Sequence, residues 1–249
     1  MARSNGLIKI EGTVEDLTFY QKNGKSFVRK KGGVSRERIL NDPNYVRTRE
    51  NMSEFSHSGS AGKILKLAVG SMAFKAKDSK LNSRLLQVMS RIKNLDSTSN
   101  RGKRLVSVGI TTPEGKQLLK GFDFNINASL DSVLFAPYDL DLGSGSFKIV
   151  DFSTEEQLMY PQGATHVSFQ SAIVDIDFAS GDSVIAYSTI ENLPLSFTPV
   201  TLTLSPSSVP SGLGVQFFLV LISFFQEING LQYSLKNEEF NVLQIIEVV

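Results

Sequence analysis

Residues 217–225 read Phe-Phe-Leu-Val-Leu-Ile-Ser-Phe-Phe, and residues 217–222 are the longest apolar run in a chain of 249 residues. Aromatic and β-branched residues at nearly every position favour a β-strand. The run is far shorter than the roughly 18 residues that a membrane helix needs. We therefore expect a central strand buried on both faces. The alternative is a strand with one face in the core and the other against a partner.

Short β-rich segments separated by turn residues surround this run, from residue 105 to the C-terminus. Residues 174–178 alternate apolar and acidic side chains, which predicts that Asp175 and Asp177 share one solvent face. Ile228-Asn229-Gly230 predicts a hairpin turn. The pattern is typical of an antiparallel β-sandwich or jelly roll. The predicted strands are Leu105–Thr111, Gly121–Asn127, Ser146–Phe152, His166–Gln170, Ala172–Phe178, Ser183–Ile190, Leu195–Leu204, Val215–Gln226, Leu231–Leu235 and Val242–Val249.

The N-terminal segment predicts a β-hairpin, because Asn23-Gly24 separates two β-rich runs, Leu17–Gln21 and Lys25–Lys30. A piece of about 30 residues buries little apolar surface by itself. We expect this arm to lie on the body of its own chain or on a neighbouring copy.

Helices are predicted between the arm and the β-rich region. Asp42-Pro43 is a helix-start signal, and the glycine-rich run Ser58–Gly62 predicts an interruption. Apolar residues from Leu81 to Leu95 recur at spacings of four and three, as a buried helical stripe does. Asp96–Asn100 is typical of a linker. The predicted fold is α+β, with a β-hairpin arm at 1–40, a basic helical segment at 41–100 and an acidic antiparallel β-sandwich or jelly-roll-like domain at 101–249.

Motifs for catalysis and metal binding are weak. The chain has no Cys, which excludes disulfides and thiolate sites. Gly59–Lys63 lacks the first Gly and the Ser or Thr of a phosphate-binding loop, and Asp139–Ser144 favours a polar turn over a calcium loop. His57 and His166 have no partners at ligand spacing. We assign no catalytic residue, metal, cofactor or small-molecule substrate.

Charge is divided between the two halves of the chain. Residues 1–120 contain 24 Lys and Arg against 10 Asp and Glu, whereas residues 121–249 contain 2 against 15. A basic surface of this kind can be an ordinary solvated helical surface, or it can bind a polyanion or the acidic half of another copy. A contact between unlike surfaces of identical copies generates rings or filaments.

Candidate contact residues follow from this division, and aromatic residues are interleaved among the basic ones. Arg47 and Arg49 are two positions apart, so they reach different surfaces. The basic candidates are Arg29, Lys30, Lys31, Arg36, Arg38, Arg47, Arg49, Lys80, Arg84 and Arg91. The acidic candidates are Asp175, Asp177, Asp182 and Glu191.

Two sets of residues carry a resemblance to a known family. The first comprises Gly12-Thr13, Phe19-Tyr20, Gly24, the run 28–33 (Val-Arg-Lys-Lys-Gly-Gly), Asn41-Asp42-Pro43 and the run 47–51 (Arg-Thr-Arg-Glu-Asn). The second is the C-terminal hairpin at Gln226–Gly230 with Tyr233, Leu235 and Asn241. Together they cover about a third of the chain and resemble a Bacteroidota protein family of unknown function. The resemblance implies a bacterial or phage-borne cytoplasmic protein, and no activity or catalytic residue.

The sequence thus favours a non-enzymatic structural protein that assembles head-to-tail with other copies of itself into a shell, tube or filament. One alternative is a nucleic-acid-binding protein without sequence preference, since the basic residues would neutralise phosphates. Another is a sugar-binding or hydrolytic β-sandwich, which predicts a pocket lined by aromatic side chains and is weakened by the absence of Trp. No signal peptide or membrane span is visible, so we predict a cytoplasmic protein.

Overall fold

A computed structural model describes residues 2–3, 10–30, 32–235 and 240–249. The chain divides into two compact units, Met1–Arg49 and Glu50–Val249, called here the N-terminal and C-terminal units. The boundaries predicted near residues 40 and 100 stay predictions.

The N-terminal unit contains an antiparallel sheet in the order β1-β4-β3-β2. Its strands are β1 (Ala2–Arg3), β2 (Gly12–Val14), β3 (Leu17–Lys22) and β4 (Lys25–Lys30). The predicted hairpin is confirmed: Asn23 and Gly24 have φ angles of 52° and 71°, as a type I′ turn requires.

Two short helices follow this sheet, α1 (Arg36–Asn41) and a 3-10 helix (Pro43–Tyr45). Asp42 begins the second of them and accepts a hydrogen bond from the N–H of Asn44, which confirms the helix-start signal.

Among residues 10–30 and 32–49 of the N-terminal unit, none is buried. Phe19, Tyr20, Phe27 and Val28 are half-exposed, and the rings of Tyr20 and Phe27 stack with their centroids 5.6 Å apart. Burial of apolar side chains is the main favourable contribution to folding. This sheet therefore has no hydrophobic core of its own among the described residues.

The helices that follow are α2 (Val46–Val69), α3 (Met72–Lys75), α4 (Leu81–Lys93), α5 (Val106–Gly109), α6 (Pro113–Leu119) and α7 (Leu130–Val133). The predicted stripe is confirmed at Leu81, Leu85 and Ile92, which are buried on α4, whereas Val88 is half-buried and Leu95 lies beyond the end of the helix. The interruption predicted at Ser58–Gly62 is wrong, because α2 runs through it. Gly62 lies against α4, where a Cβ would be 3.3 Å from the Leu85 Cβ, so a small residue permits the close helix contact.

The remaining strands are β5 (Phe122–Asp123), β6 (Asp139–Leu140), β7 (Phe147–Phe152), β8 (His166–Ile176), β9 (Ser183–Tyr187), β10 (Glu191–Pro194), β11 (Val200–Leu204), β12 (Val215–Ile228), β13 (Leu231–Ser234) and β14 (Val242–Val248). The large sheet has the order β10-β8-β12-β14-β5, with β9 also paired to β8 and β13 to β12. The small sheet has the order β11-β7-β6. All described pairings are antiparallel.

Strand β12 lies at the centre of the C-terminal unit and is buried on both faces. Phe217, Leu219 and Leu221 pack in one cluster with helices α2–α6. Phe218 and Phe224 pack in a second cluster with α7 and the small sheet. Each fully buried side chain of this size contributes about 1.5–3 kcal/mol to folding. The prediction from residues 217–225 is confirmed, and the C-terminal unit has three layers: helices, large sheet and small sheet.

The α+β class is confirmed: the N-terminal hairpin precedes the helices and the antiparallel sheets.

One predicted strand is wrong, since Leu105–Thr111 contains α5. Gly109 lies so close to α4 that a Cβ there would be 2.0 Å from the Ile92 carbonyl oxygen. The next helix, α6, is capped by Thr112, whose hydroxyl accepts a hydrogen bond from the Gly115 N–H.

Candidate functional site

Basic side chains of the N-terminal unit are mostly solvent-exposed. Arg29 lies 5.7 Å from the centre of the Tyr20 ring, and Arg38 pairs with Asp42 at 3.1 Å. The other exposed candidates are Lys30, Arg36 and Arg47, whereas Lys31 lies outside the described residues. This sequence-predicted set therefore presents positive charge to solvent.

Arg49, in contrast, makes hydrogen bonds to the backbone of its own chain. It is half-buried, and its Nη1 donates to the carbonyl oxygens of Ile39 at 2.7 Å and Asp42 at 3.0 Å. These bonds hold the end of α1 and the turn after it, so the guanidinium is engaged within its own chain.

Lys80 and Arg91 lie at opposite ends of α4 and are exposed. Arg84, between them, is different: its side chain is 18% exposed. It pairs with Asp78 and donates to the carbonyl oxygens of Asp123 and Phe124. The sequence predicts Arg84 as a contact residue for a partner, but in the structure it holds α4 against the segment that contains β5.

Carboxylates within residues 1–120 form ion pairs and hydrogen bonds inside the helical layer, and Glu54 is the clearest example. Its side chain is 3% exposed. It receives hydrogen bonds from Arg104 Nε at 2.9 Å and Nη2 at 3.0 Å, from the Gly102 N–H at 2.8 Å and from Lys93 Nζ. The bonds from Arg104 contribute most to lowering the pKa of Glu54 from 4.5 to about 2, against the opposing effect of burial.

The depressed pKa of Glu54 predicts an acid-dependent loss of stability. Its contribution to the free energy of unfolding is complete above the unfolded-state pKa near 4.5 and is lost as the pH falls through about 2. Chemical denaturation at stepped pH values measures this. We expect the stability of the wild type to fall more steeply below pH 4.5 than that of Glu54→Gln; equal slopes would contradict the assignment.

Asp175 does not lie on a solvent face, contrary to the prediction from alternation. It is 4% exposed; its Oδ1 accepts from the Gly214 N–H at 3.1 Å, and its Oδ2 has no hydrogen-bond partner among the described residues. The chain at Gly212 passes directly over it, since a Cβ there would be 2.1 Å from Oδ1. The carboxylate is therefore covered by its own chain and is not available for contact with a second copy.

The other predicted acidic residues lie along the edge of the large sheet. Asp177 accepts from the Ala179 N–H at 2.7 Å in the β8–β9 turn, Asp182 is exposed in the same turn, and Glu191 is half-exposed at the start of β10. The turn lies beside α2, because a Cβ on Gly181 would be 3.7 Å from Ile64 Cδ1.

A further set of acidic residues was missed by the sequence analysis. Asp131 in α7, Asp139 in β6, Asp151 in β7 and Glu156 after β7 are exposed on the elements that cover the small-sheet side of the large sheet. Asp151 has a φ of 51° at a β-bulge opposite Val200–Leu202. Alternation from the buried Phe147 and Ile149 would bury Asp151 as well, so it is the bulge that turns Asp151 outward, and no signal in the sequence shows that. We call these four residues the acidic face.

Ion pairs rarely connect the two halves of the chain. Between described residues, one Lys or Arg of residues 1–120 pairs with an acidic residue of 121–249: Lys120 with Glu247 at 2.5 Å. The other Lys and Arg pairs lie within residues 1–120. Among the described residues, Lys120–Glu247 is thus the one Lys or Arg pair that joins the two halves.

The two histidines have local partners. Nε2 of His57 accepts from the Val106 N–H at 3.1 Å. His166 lies 3.5 Å from Glu227 and 3.0 Å from the Thr165 hydroxyl. That hydroxyl also accepts from the Glu227 N–H at 2.7 Å, so it is engaged in holding β8 against β12.

Within the described ranges, no group of three or more His, Cys, Asp and Glu side chains is arranged to hold a metal ion. The described helices include none with the length and apolar character to cross a bilayer. Comparison of the chain with protein-family models, with curated proteins and with solved structures found no match.

Proposed function

We propose that the protein is a non-enzymatic structural protein that assembles head-to-tail, with the basic surface of one copy (Lys63, Lys80 and Arg91 of the C-terminal unit) bound to the acidic face of the next. One observation carries this proposal: between described residues, Lys120–Glu247 alone among Lys and Arg pairs joins the oppositely charged halves. Like charges left unpaired on one surface repel each other, and a second copy offers the complementary charges.

The layer order of the C-terminal unit supports a contact between copies rather than within one. Lys63, Lys80 and Arg91 are exposed on or beside α2 and α4, whereas the acidic face belongs to elements on the opposite side of the large sheet. Two different surfaces on opposite sides of one body make a heterologous contact, which closes into a ring or continues as a filament.

The N-terminal unit supports the same proposal by a separate observation. Its half-exposed aromatic and aliphatic side chains have no core of their own, and its exposed basic residues give it a positive surface. A sheet of this kind gains stability when a partner covers its apolar side. We therefore expect it to contribute to contacts between copies.

A mixing experiment tests the proposal. One variant neutralises the basic surface (Lys63→Gln, Lys80→Gln, Arg91→Gln), and the other neutralises three of the four residues of the acidic face (Asp139→Asn, Asp151→Asn, Glu156→Gln). A head-to-tail contact needs both surfaces. Each variant keeps only one of them, so we expect each alone to assemble less than the wild type at low salt. Their mixture should form 1:1 dimers that do not grow further, as measured by light scattering coupled to size-exclusion chromatography.

The mixture also controls for misfolding, because the dimer forms only if both sets of substitutions leave the protein folded. A mixture that stays monomeric while the wild type assembles would contradict this pairing of surfaces.

Binding of nucleic acid without sequence preference is the competing hypothesis, since it uses the same basic residues. It predicts no dimer in nuclease-treated protein and a salt-sensitive shift of a random duplex.

A further inference from the structure

A cavity of about 530 Å³ opens on the helical side of the large sheet, within the size range of small-molecule sites. Its apolar lining includes Phe74 of α3, Ile190, Leu221 and Phe225. Phe74 is 72% exposed and Ile190 is 53% exposed, so both present apolar surface to solvent. The cavity lies wholly within the C-terminal unit.

The floor of the cavity is where the sheet changes from apolar to polar. Ala172, Val174 and Ile176 of β8 pack with the helices. On the same side of β8 by alternation, Gln170 and Ser168 line the cavity instead. A face that merely closed a core would continue with apolar residues, and a simply solvated face would favour charged ones.

The neighbouring strand, β12, changes from apolar to polar at the same level of the sheet. Ser223 of β12 is directly paired with Ser168, two residues along the strand from the pair Leu221–Gln170. Ser168 Oγ accepts from Asn192 Nδ2 at 3.0 Å. Ser223 is 6% exposed, lines the cavity, and its hydroxyl has no hydrogen-bond partner among the described residues. Buried polar groups are nearly always paired; of the described serine hydroxyls that are buried and unpaired, Ser223 alone belongs to a residue of the lining.

We propose that this cavity binds an uncharged pyranose sugar or its glycoside. Hydroxyl and amide groups both donate and accept hydrogen bonds, which matches the hydroxyls of a sugar, and the aromatic lining matches the apolar C–H side of its ring. A carboxylate or phosphate would instead need cationic partners. Lys75 is the only charged residue of the described lining, so a single cation is available to such a ligand. This inference is independent of self-assembly.

The test is a titration of the full chain with the methyl glycosides of glucose, galactose and mannose, and with glucuronate, followed by saturation-transfer NMR and calorimetry. Ser223→Ala removes the unpaired hydroxyl at the cavity. Ser171→Ala is the matched control, because the Ser171 hydroxyl is also buried and unpartnered among the described residues but is not part of the lining. Lys75→Gln tests for an acidic ligand.

We expect at least one neutral glycoside to bind. Ser223→Ala should weaken its affinity about three- to tenfold, the value of one hydrogen bond, without lowering stability, because no hydrogen bond within the protein is lost. Ser171→Ala and Lys75→Gln should leave the affinity unchanged. The proposal is overturned if no glycoside binds at about 10 mM, which saturates a millimolar site. Equal weakening by Ser171→Ala, or binding of glucuronate alone that Lys75→Gln abolishes, also overturns it.

Discussion

Replacing Glu54 with Gln lowers the free energy of unfolding by about 3–5 kcal/mol, the cost of breaking a buried ion pair by removing one partner. Glu54 faces two cations, Lys93 and Arg104, whose side chains are 11% and 29% exposed. Gln has the same shape as Glu but no charge, so the variant leaves both cations without their anion. The loss comes from electrostatics and not from a cavity.

Urea denaturation followed by circular dichroism measures this effect, since the chain has no Trp. Glu50→Gln is the matched control, because it breaks the exposed pair with Arg101, whose side chain is 55% exposed. Exposed pairs contribute about 0–1 kcal/mol. Equal losses in the two variants would show that Glu54 does not have the buried role described for it.

Gly109→Ala is expected to cost at least about 3 kcal/mol, above the usual range for overpacking. A Cβ at this position would lie 2.0 Å from the Ile92 carbonyl oxygen and 2.8 Å from the Ile92 carbonyl carbon. These are backbone atoms of α4, so no side-chain rotation relieves the clash. Gly115→Ala should behave similarly, with the Gly109 carbonyl oxygen 2.1 Å away.

Gly59→Ala is the matched control for these substitutions. Gly59 is exposed in the interior of α2, and a Cβ there would meet only Leu86 Cδ1, at 3.8 Å. Ala is favoured over Gly in a helix by about 0.8–1 kcal/mol, so this variant should be more stable than the wild type. Thermal unfolding of the three variants checks both directions. A Gly109→Ala protein as stable as the wild type would contradict the close packing of α5 on α4.

Local patterns predicted much of the fold. The apolar run at 217–225 identified β12, Asn23-Gly24 identified the β3–β4 turn, and the spacing from Leu81 to Leu95 identified α4. Each of these signals lies within one segment and needs no knowledge of its neighbours. The prediction from Leu105–Thr111 failed because a short apolar run fits a strand or a helix. Its conformation depends on Gly109 meeting α4, which is a tertiary contact.

The candidate sites were harder to predict, because they depend on which residues neighbouring elements bring together. Asp175 alternates as a solvent-facing residue would, but the chain at Gly212 covers it. The acidic face joins residues of α7, β6 and β7 that are not adjacent in sequence. The Ser168–Ser223 pair follows only from the register of β8 and β12, so the cavity has no sequence signature.

Sedimentation velocity of the wild-type chain at increasing salt concentration tests self-assembly most directly. Screening shortens from about 30 Å at 0.01 M salt to about 3 Å at 1 M, so contacts between opposite charges weaken over this range. The proposal predicts large particles at low salt that dissociate to monomers at high salt, in protein free of nucleic acid. A single monomeric species at every salt concentration, at high protein concentration, would contradict it.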